Sequence, residues 1–136
     1  MKRNILFRGK RIDGRNNWAY GSLITNGEKC YLINPDNLEI GCNNTIGNTS
    51  VQPVIPETVG QFTGLKDKNG VNIFEGDKIN VGEIWHGDMV ESSYIGVVSF
   101  CDGCWWVADK EVIGSELDSI SIINGNMKVI GNTYTN

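Results

Sequence analysis

The residues that most invite chemistry are Cys101-Asp102-Gly103-Cys104. Two cysteines at this spacing offer half of a zinc site or a redox couple. Thioredoxin-type chemistry needs the first thiol at a helix N-terminus, where the helix dipole lowers its pKa. Here strand-forming residues stand on both sides and Asp-Gly marks a β-turn, so that mechanism lacks its physical basis. A closed zinc site would need two more ligands. The remaining thiols are Cys30 and Cys42, and His86 is the sole histidine. The pair is therefore read as two free thiols at a hairpin tip. Cys101, Cys104, Cys30 and Cys42 are the zinc candidates, and a disulfide is disfavoured by the reducing compartment expected below.

Other polar groups are read the same way. A Ser-His-Asp arrangement would have to use His86, with Glu83 and Asp88 near it in sequence; it is expected to be a polar loop residue in a Trp85-His86-Gly87-Asp88 turn. Asp67, Glu75 and Asp77 could pair as acid and base, as glycosidase carboxylates do. They lie in a glycine-rich stretch, where carboxylates more simply hold turns by accepting backbone N–H groups. Lys66 and Lys68 precede Asn69-Gly70, but the stretch lacks the Gly-Lys-Ser/Thr ending of a phosphate loop. No catalytic residue, metal or cofactor is assigned, and the chain is expected not to be an enzyme.

Composition narrows the partners. The 136 residues carry 16 acidic and 12 basic side chains, a net charge of −4. That balance disfavours nucleic acid, which needs a concentrated positive field. The one basic cluster is Lys2, Arg3, Arg8, Lys10, Arg11 and Arg15, and Arg8, Lys10 and Arg11 would carry a nucleic-acid alternative. No apolar run is long enough to span a membrane. The first residues lack a signal-peptide pattern, so a cytoplasmic protein with reduced thiols is expected.

The elements that must position these residues are strands. Tyr20–Ile24 and Cys30–Ile33 flank Asn26-Gly27, a hairpin signal that, with those two as loop residues, sets Thr25 opposite Glu28 and Leu23 opposite Cys30. Residues 34–52, rich in Asn, Gly and Ser/Thr, read as a long loop. Pro56-Glu57-Thr58 could start one helical turn, and Val59–Phe62 a strand. Asp67–Gly70 is a turn. Glu75-Gly76-Asp77 is a tight corner in which Gly bends the chain and Asp holds it. Lys78–Trp85 reads as one strand with Ile79, Val81 and Trp85 inward. Asp102-Gly103 then predicts a second hairpin pairing Cys101 with Cys104, Phe100 with Trp105, Ser99 with Trp106 and Val98 with Val107. Gly114–Asp118 reads as a single helical or 3₁₀ turn. Ile120–Ile123 and Met127–Ile130 are strands around Asn124-Gly125. The expected fold is mainly β: an irregular N-terminal β lobe (1–74, with the loop at 34–52) followed by a small SH3-like β-barrel (75–136). Closure into a barrel is inferred because exposed apolar edges aggregate.

Aromatic residues crowd the second half beyond what a small core should hold. Trp85, Tyr94, Trp105 and Trp106 are the candidate binding residues, since Trp and Tyr give interfaces large rigid area with one polar atom. A homo-oligomer is expected.

The chain resembles the YopX family of phage and prophage proteins. The likeness begins at Ile5-Leu6-Phe7-Arg8-Gly9-Lys10 and Trp18-Ala19-Tyr20-Gly21-Ser22-Leu23. Its strongest part is Gln61-Phe62-Thr63-Gly64-Leu65-Lys66-Asp67-Lys68-Asn69-Gly70, closed by Ile73-Phe74-Glu75-Gly76-Asp77-Lys78-Ile79. Tyr94–Val98 and Val129-Ile130-Gly131-Asn132-Thr133-Tyr134 continue it over nearly the whole chain. The resemblance implies a mostly β protein with an SH3-like barrel, a mobile-element gene, a bacterial host's cytoplasm and an accessory function. It transfers no catalytic residue. The function expected is a non-enzymatic module that binds a host or phage protein or its own copies.

Overall fold

Reversals at glycine and aspartate decide where this chain folds back. In the computed structural model, described over residues 4–13, 18–34, 51–82, 84–91, 94–101, 103–108, 115–116 and 127–134, nearly every element is a strand. Lys2, Arg3, Arg15, Cys42, Glu83, Asp102, the Ile120–Ile123 strand with its Asn124-Gly125 turn, and most of the expected 34–52 loop lie outside the described residues. The chain divides into two compact units, Met1–Phe62 and Thr63–Asn136.

The first unit contains β1 (Phe7–Lys10), β2 (Trp18–Asn26), β3 (Lys29–Ile33) and β4 (Val51–Val54), followed by a 3₁₀ turn at Pro56–Thr58 and the start of β5 (Gly60–Lys66). The strand order is β4-β3-β2-β1-β5, and the far end of β5, in the second unit, neighbours β6 (Asn72–Phe74). Ala19, Leu32 and Val54 are buried together, with Phe7, Leu23, Cys30 and Val59 packed on them. Thr58 closes the 3₁₀ turn: its hydroxyl donates to Ile55 O at 2.6 Å and accepts from Lys10 N–H at 2.8 Å. The end of β1 also reaches β4 through an isolated Arg11–Val54 bridge and an Ile55 N–H to Lys10 O bond of 2.8 Å.

The β2–β3 hairpin forms, but one residue later than the Asn-Gly rule places it. Asn26 pairs with Lys29, Thr25 with Cys30 and Leu23 with Leu32. Gly27, at φ +63°, takes the first loop position, so Gly27 and Glu28 are the two loop residues. The slip moves each partner by two positions and leaves every side chain on its expected face.

The second unit is organised by β7 (Asp77–Val81). Its alternation is strict: Asp77, Ile79 and Val81 are buried, Lys78 and Asn80 exposed. On one side it pairs with β10 (Tyr94–Cys101) and on the other with β13 (Met127–Asn132). β11 (Cys104–Ala108) and the two-residue β12 (Ser115–Glu116) extend the sheet to the order β12-β11-β10-β7-β13. The expected 3₁₀ or helical turn around residue 115 is thus, at Ser115 and Glu116, a strand pairing with Val107 and Trp106. Ile73, Ile79, Val81, Val98, Val107 and Met127 form the core, with Leu65, Tyr94, Trp105 and Val129 against it.

Two further expectations fail here. Lys78–Trp85 is not one strand: β7 ends at Val81, and β8 (Ile84–His86) pairs with β9 (Met89–Glu91) as a separate two-stranded hairpin. The SH3-like barrel is also corrected, because among the described residues both larger sheets are open and neither closes. Closure rests on the need to cover an edge, and that need is met otherwise. Lys68 N–H donates to Met127 O at 3.0 Å, and Val129 N–H to the Asp67 carboxylate at 3.0 Å. A register shift between Val129 and Gly131 further breaks the regular edge.

Gly21 and Gly27 separate two uses of glycine. A Cβ at Gly21 (φ +154°) would lie 2.1 Å from the Ile33 carbonyl oxygen, whereas one at Gly27 would meet nothing within 4 Å. Gly21→Ala is expected to cost roughly 2–4 kcal/mol through clash and backbone strain. Gly27→Ala is expected to cost about 1–2 kcal/mol from its left-handed φ alone. Urea unfolding of both variants checks the order.

Candidate functional site

The turn segment that begins at Asp67 and the corner at Asp77 supply the carboxylates. Asp67 is only 7 % exposed. Its Oδ1 accepts from Asn69 N–H at 2.8 Å and from Val71 N–H at 2.9 Å, while Oδ2 accepts from Val129 N–H at 3.0 Å. The backbone closes the same turn: Asp67 N–H donates to Val71 O and Gly70 N–H to Asp67 O. Burial pushes the Asp67 carboxyl up, but the three N–H donors and the nearby Lys128 charge outweigh it. Its pKa lies below the ordinary aspartate value.

Asp77, 1 % exposed, accepts from Phe74 N–H through Oδ2 at 2.8 Å. Gly76 (φ +89°) makes the corner between them, donating to Val98 O at 2.9 Å and accepting from Thr133 N–H at 3.0 Å. A Cβ on Gly76 would lie only 2.9 Å from the Tyr134 ring. The two family-like stretches, around 61–79 and 129–134, are therefore bonded to each other. Both oxygens of Asp67 and Oδ2 of Asp77 accept from backbone N–H groups, which is the turn-holding use expected of these carboxylates.

The β10–β11 hairpin carries most of the aromatics. Its register is the one the sequence predicts, from Val98–Val107 to Cys101–Cys104, with Gly103 at φ +81°. Trp105 packs on the core edge, and Phe100 stacks edge-on against it at 5.0 Å between centroids. Phe100 itself is 55 % exposed, because the core ends at Val98 and Val107 and leaves the last inward position beyond it. Trp106 is half-buried on the opposite face, opposite Ser99, and its Nε1–H donates to Cys101 O at 2.9 Å. Ile95 and Ile130 are exposed on that same outer face. Tyr94 packs against the core and pairs with Val81. Trp85 lies in β8 opposite Val90; its side chain is outside the description.

The four expected binding residues are thus not one cluster. Trp105 and Trp106 sit on opposite faces of one hairpin, and Tyr94 joins the core. Phe100, which the alternation assigns inward, is the exposed aromatic of the tip. The signal for it is positional: an inward residue directly beside a two-residue turn outruns the core.

Two of the three basic candidates, Arg8 and Arg11, have their side chains committed locally. Arg8 is buried with its guanidinium 4.7 Å from the centre of the Trp18 ring, a cation–π contact. Arg11 forms a 2.8 Å ion pair with Asp13. Lys10 contributes its backbone N–H to Thr58. His86 is a strand residue opposite Met89, and the β8–β9 turn is Gly87-Asp88, one step later than expected. Cys30, Cys101 and Cys104 are not in disulfides, and among the described residues no three His, Cys, Asp or Glu side chains gather as a metal site would need. Cys104 Sγ lies 3.6 Å from Cys101 O. An open hollow in the first unit is lined by Asn26, Glu28, Lys29, Pro56 and Glu57. Among the described residues no helix is long and apolar enough to cross a membrane.

A family model described as YopX protein matches residues 12–136. No curated protein and no solved structure matches the chain.

Asp67 sets an acid dependence of stability. A carboxyl whose folded pKa is lowered contributes stability that is present above its ordinary value and lost as pH falls through the folded one. Asp67→Ala leaves the Val129 N–H without its acceptor and is expected to cost about 3 kcal/mol at neutral pH. The variant should lose less stability than the parent between about pH 5 and about pH 2, where the parent carboxylate protonates. Urea midpoints at both ends of that range check the size and the sign.

Proposed function

The chain belongs to the YopX family of phage and prophage proteins, and on that premise we propose that it is a non-catalytic accessory protein that binds protein, its own copies first. The observation that supports this reading is Phe100: a large ring, 55 % exposed, fixed edge-on against Trp105 at the tip of a two-residue hairpin. A ring held by a neighbour loses little freedom on binding, so its burial turns more fully into affinity. The other face of the same sheet carries exposed Ile95 and Ile130, with Lys78 and Asn80 of the central strand between them.

The proposal extends to place: a bacterial host's cytoplasm, where a phage accessory protein would meet its partners. The nucleic-acid alternative draws less support. Arg8 is buried against Trp18 and Arg11 is paired with Asp13. A net charge of −4 adds no general attraction for phosphate.

Light scattering from micromolar to near-millimolar concentration tests the reading. The expected result is a mass that is a multiple of the 15.0 kDa chain. Phe100→Ser is expected to weaken assembly by about tenfold or more while leaving thermal stability nearly unchanged, since the ring is largely exposed. Trp106→Ser probes the outer face in the same way. A mass of one chain at every concentration contradicts self-assembly.

A further inference from the structure

The register of the β10–β11 hairpin places Cys101 directly opposite Cys104. Directly opposed residues of an antiparallel pair have Cα atoms about 4.5–5.5 Å apart, within the roughly 4.4–6.8 Å that disulfides span. Both side chains share one face of the sheet, the face of Ser99 and Trp106. Cys101 is exposed, Cys104 is half-buried, and neither is in a disulfide. The thiols are thus adjacent, reduced and reachable from solvent at the first.

We propose that Cys101 and Cys104 form a reversible dithiol–disulfide couple, driven by small-molecule disulfides of the glutathione class. The Cys101 thiolate attacks one sulfur of the oxidant, forming a mixed disulfide and releasing one reduced thiol. The Cys104 thiolate then attacks the Cys101 sulfur, closing the protein disulfide and releasing the second. Two protein thiols are oxidised, one small disulfide is reduced to two thiols, and their two protons pass to the released thiols. The ring closed is that of a four-residue turn, so it restrains little of the unfolded chain and acts as a switch rather than a staple. A bridge that adds so little to stability is readily reduced again.

The switch has a built-in reporter. Cys104 Sγ and Trp106 Nε1–H both approach the Cys101 carbonyl oxygen, at 3.6 and 2.9 Å. Closing the bridge removes the thiol donor and brings a disulfide beside the indole.

The full chain is equilibrated with glutathione buffers of rising oxidised-to-reduced ratio, quenched by alkylation and mapped by peptide mass. The expected result is an intramolecular 101–104 link that exchanges two adducts for the loss of two hydrogens. Mass action requires an about eighty-fold rise in the ratio of oxidised glutathione to the square of the reduced to take the bridged fraction from one tenth to nine tenths. Tryptophan emission changes in parallel; Trp106→Phe removes that change and leaves the link, and Cys101→Ser removes both. Full alkylation of both thiols at every ratio overturns the proposal, and so does oxidation that yields only links between chains. The readout lies within one chain, so it stands or falls separately from self-assembly.

Discussion

An edge strand presents backbone N–H and C=O groups that must find partners, and in the second unit one carboxylate meets that demand. Asp67 Oδ2 accepts from Val129 N–H, across 62 residues of sequence, while Oδ1 holds its own turn at Asn69 and Val71. Lys68 N–H meets Met127 O beside it. The turn is thereby a short substitute for a further strand along β13. Further along the chain, Gly76 repeats the device in a different form, bonding to Val98 on one side and Thr133 on the other beneath the Tyr134 ring. Two stretches that look like separate family motifs are the two halves of one clasp.

What the clasp positions is the central strand. β7 leaves the Gly76 corner with Asp77 already fixed to Phe74 and sends Ile79 and Val81 into the core. β10 and β13 then pair on either side of it. β10 runs past the core to its turn, which is why Phe100 stands clear of the buried layer. The proposed binding surface follows from the same geometry that fixes the fold. A chain held at its turns by carboxylates and glycines leaves those polar groups occupied, and the aromatic tip available.

Local chemistry is legible in the sequence wherever a turn decides the outcome. Asp102-Gly103 predicts the β10–β11 register residue for residue, and the Asp67 and Asp77 carboxylates hold the turns assigned to them. Asn26-Gly27 marks the right hairpin but not its loop, because Gly27 takes the first loop position and the following Glu28 the second. Alternation alone carries a strand through to Trp85, whereas β7 stops before Gly82. The barrel fails for a long-range reason: an open edge can be covered by a distant turn as well as by closure, and no local pattern carries a contact between residues 67 and 129. Arg8 misleads for a similar reason. A cation in a basic cluster reads as surface until Trp18 is found beneath it.

The Asp67–Val129 bond carries the account, and native-state amide hydrogen exchange at Val129 tests it most directly. The account predicts that the Val129 amide, on the outer side of an edge strand, exchanges slowly, by about two orders of magnitude or more relative to the unfolded chain. In Asp67→Ala, which has no side-chain acceptor, the same backbone amide should exchange faster, with the Lys68 and Thr133 amides following it. A Val129 amide that exchanges at the unfolded rate in the parent chain would contradict the clasp, as would an Asp67→Ala variant in which only the 67–71 turn loosens.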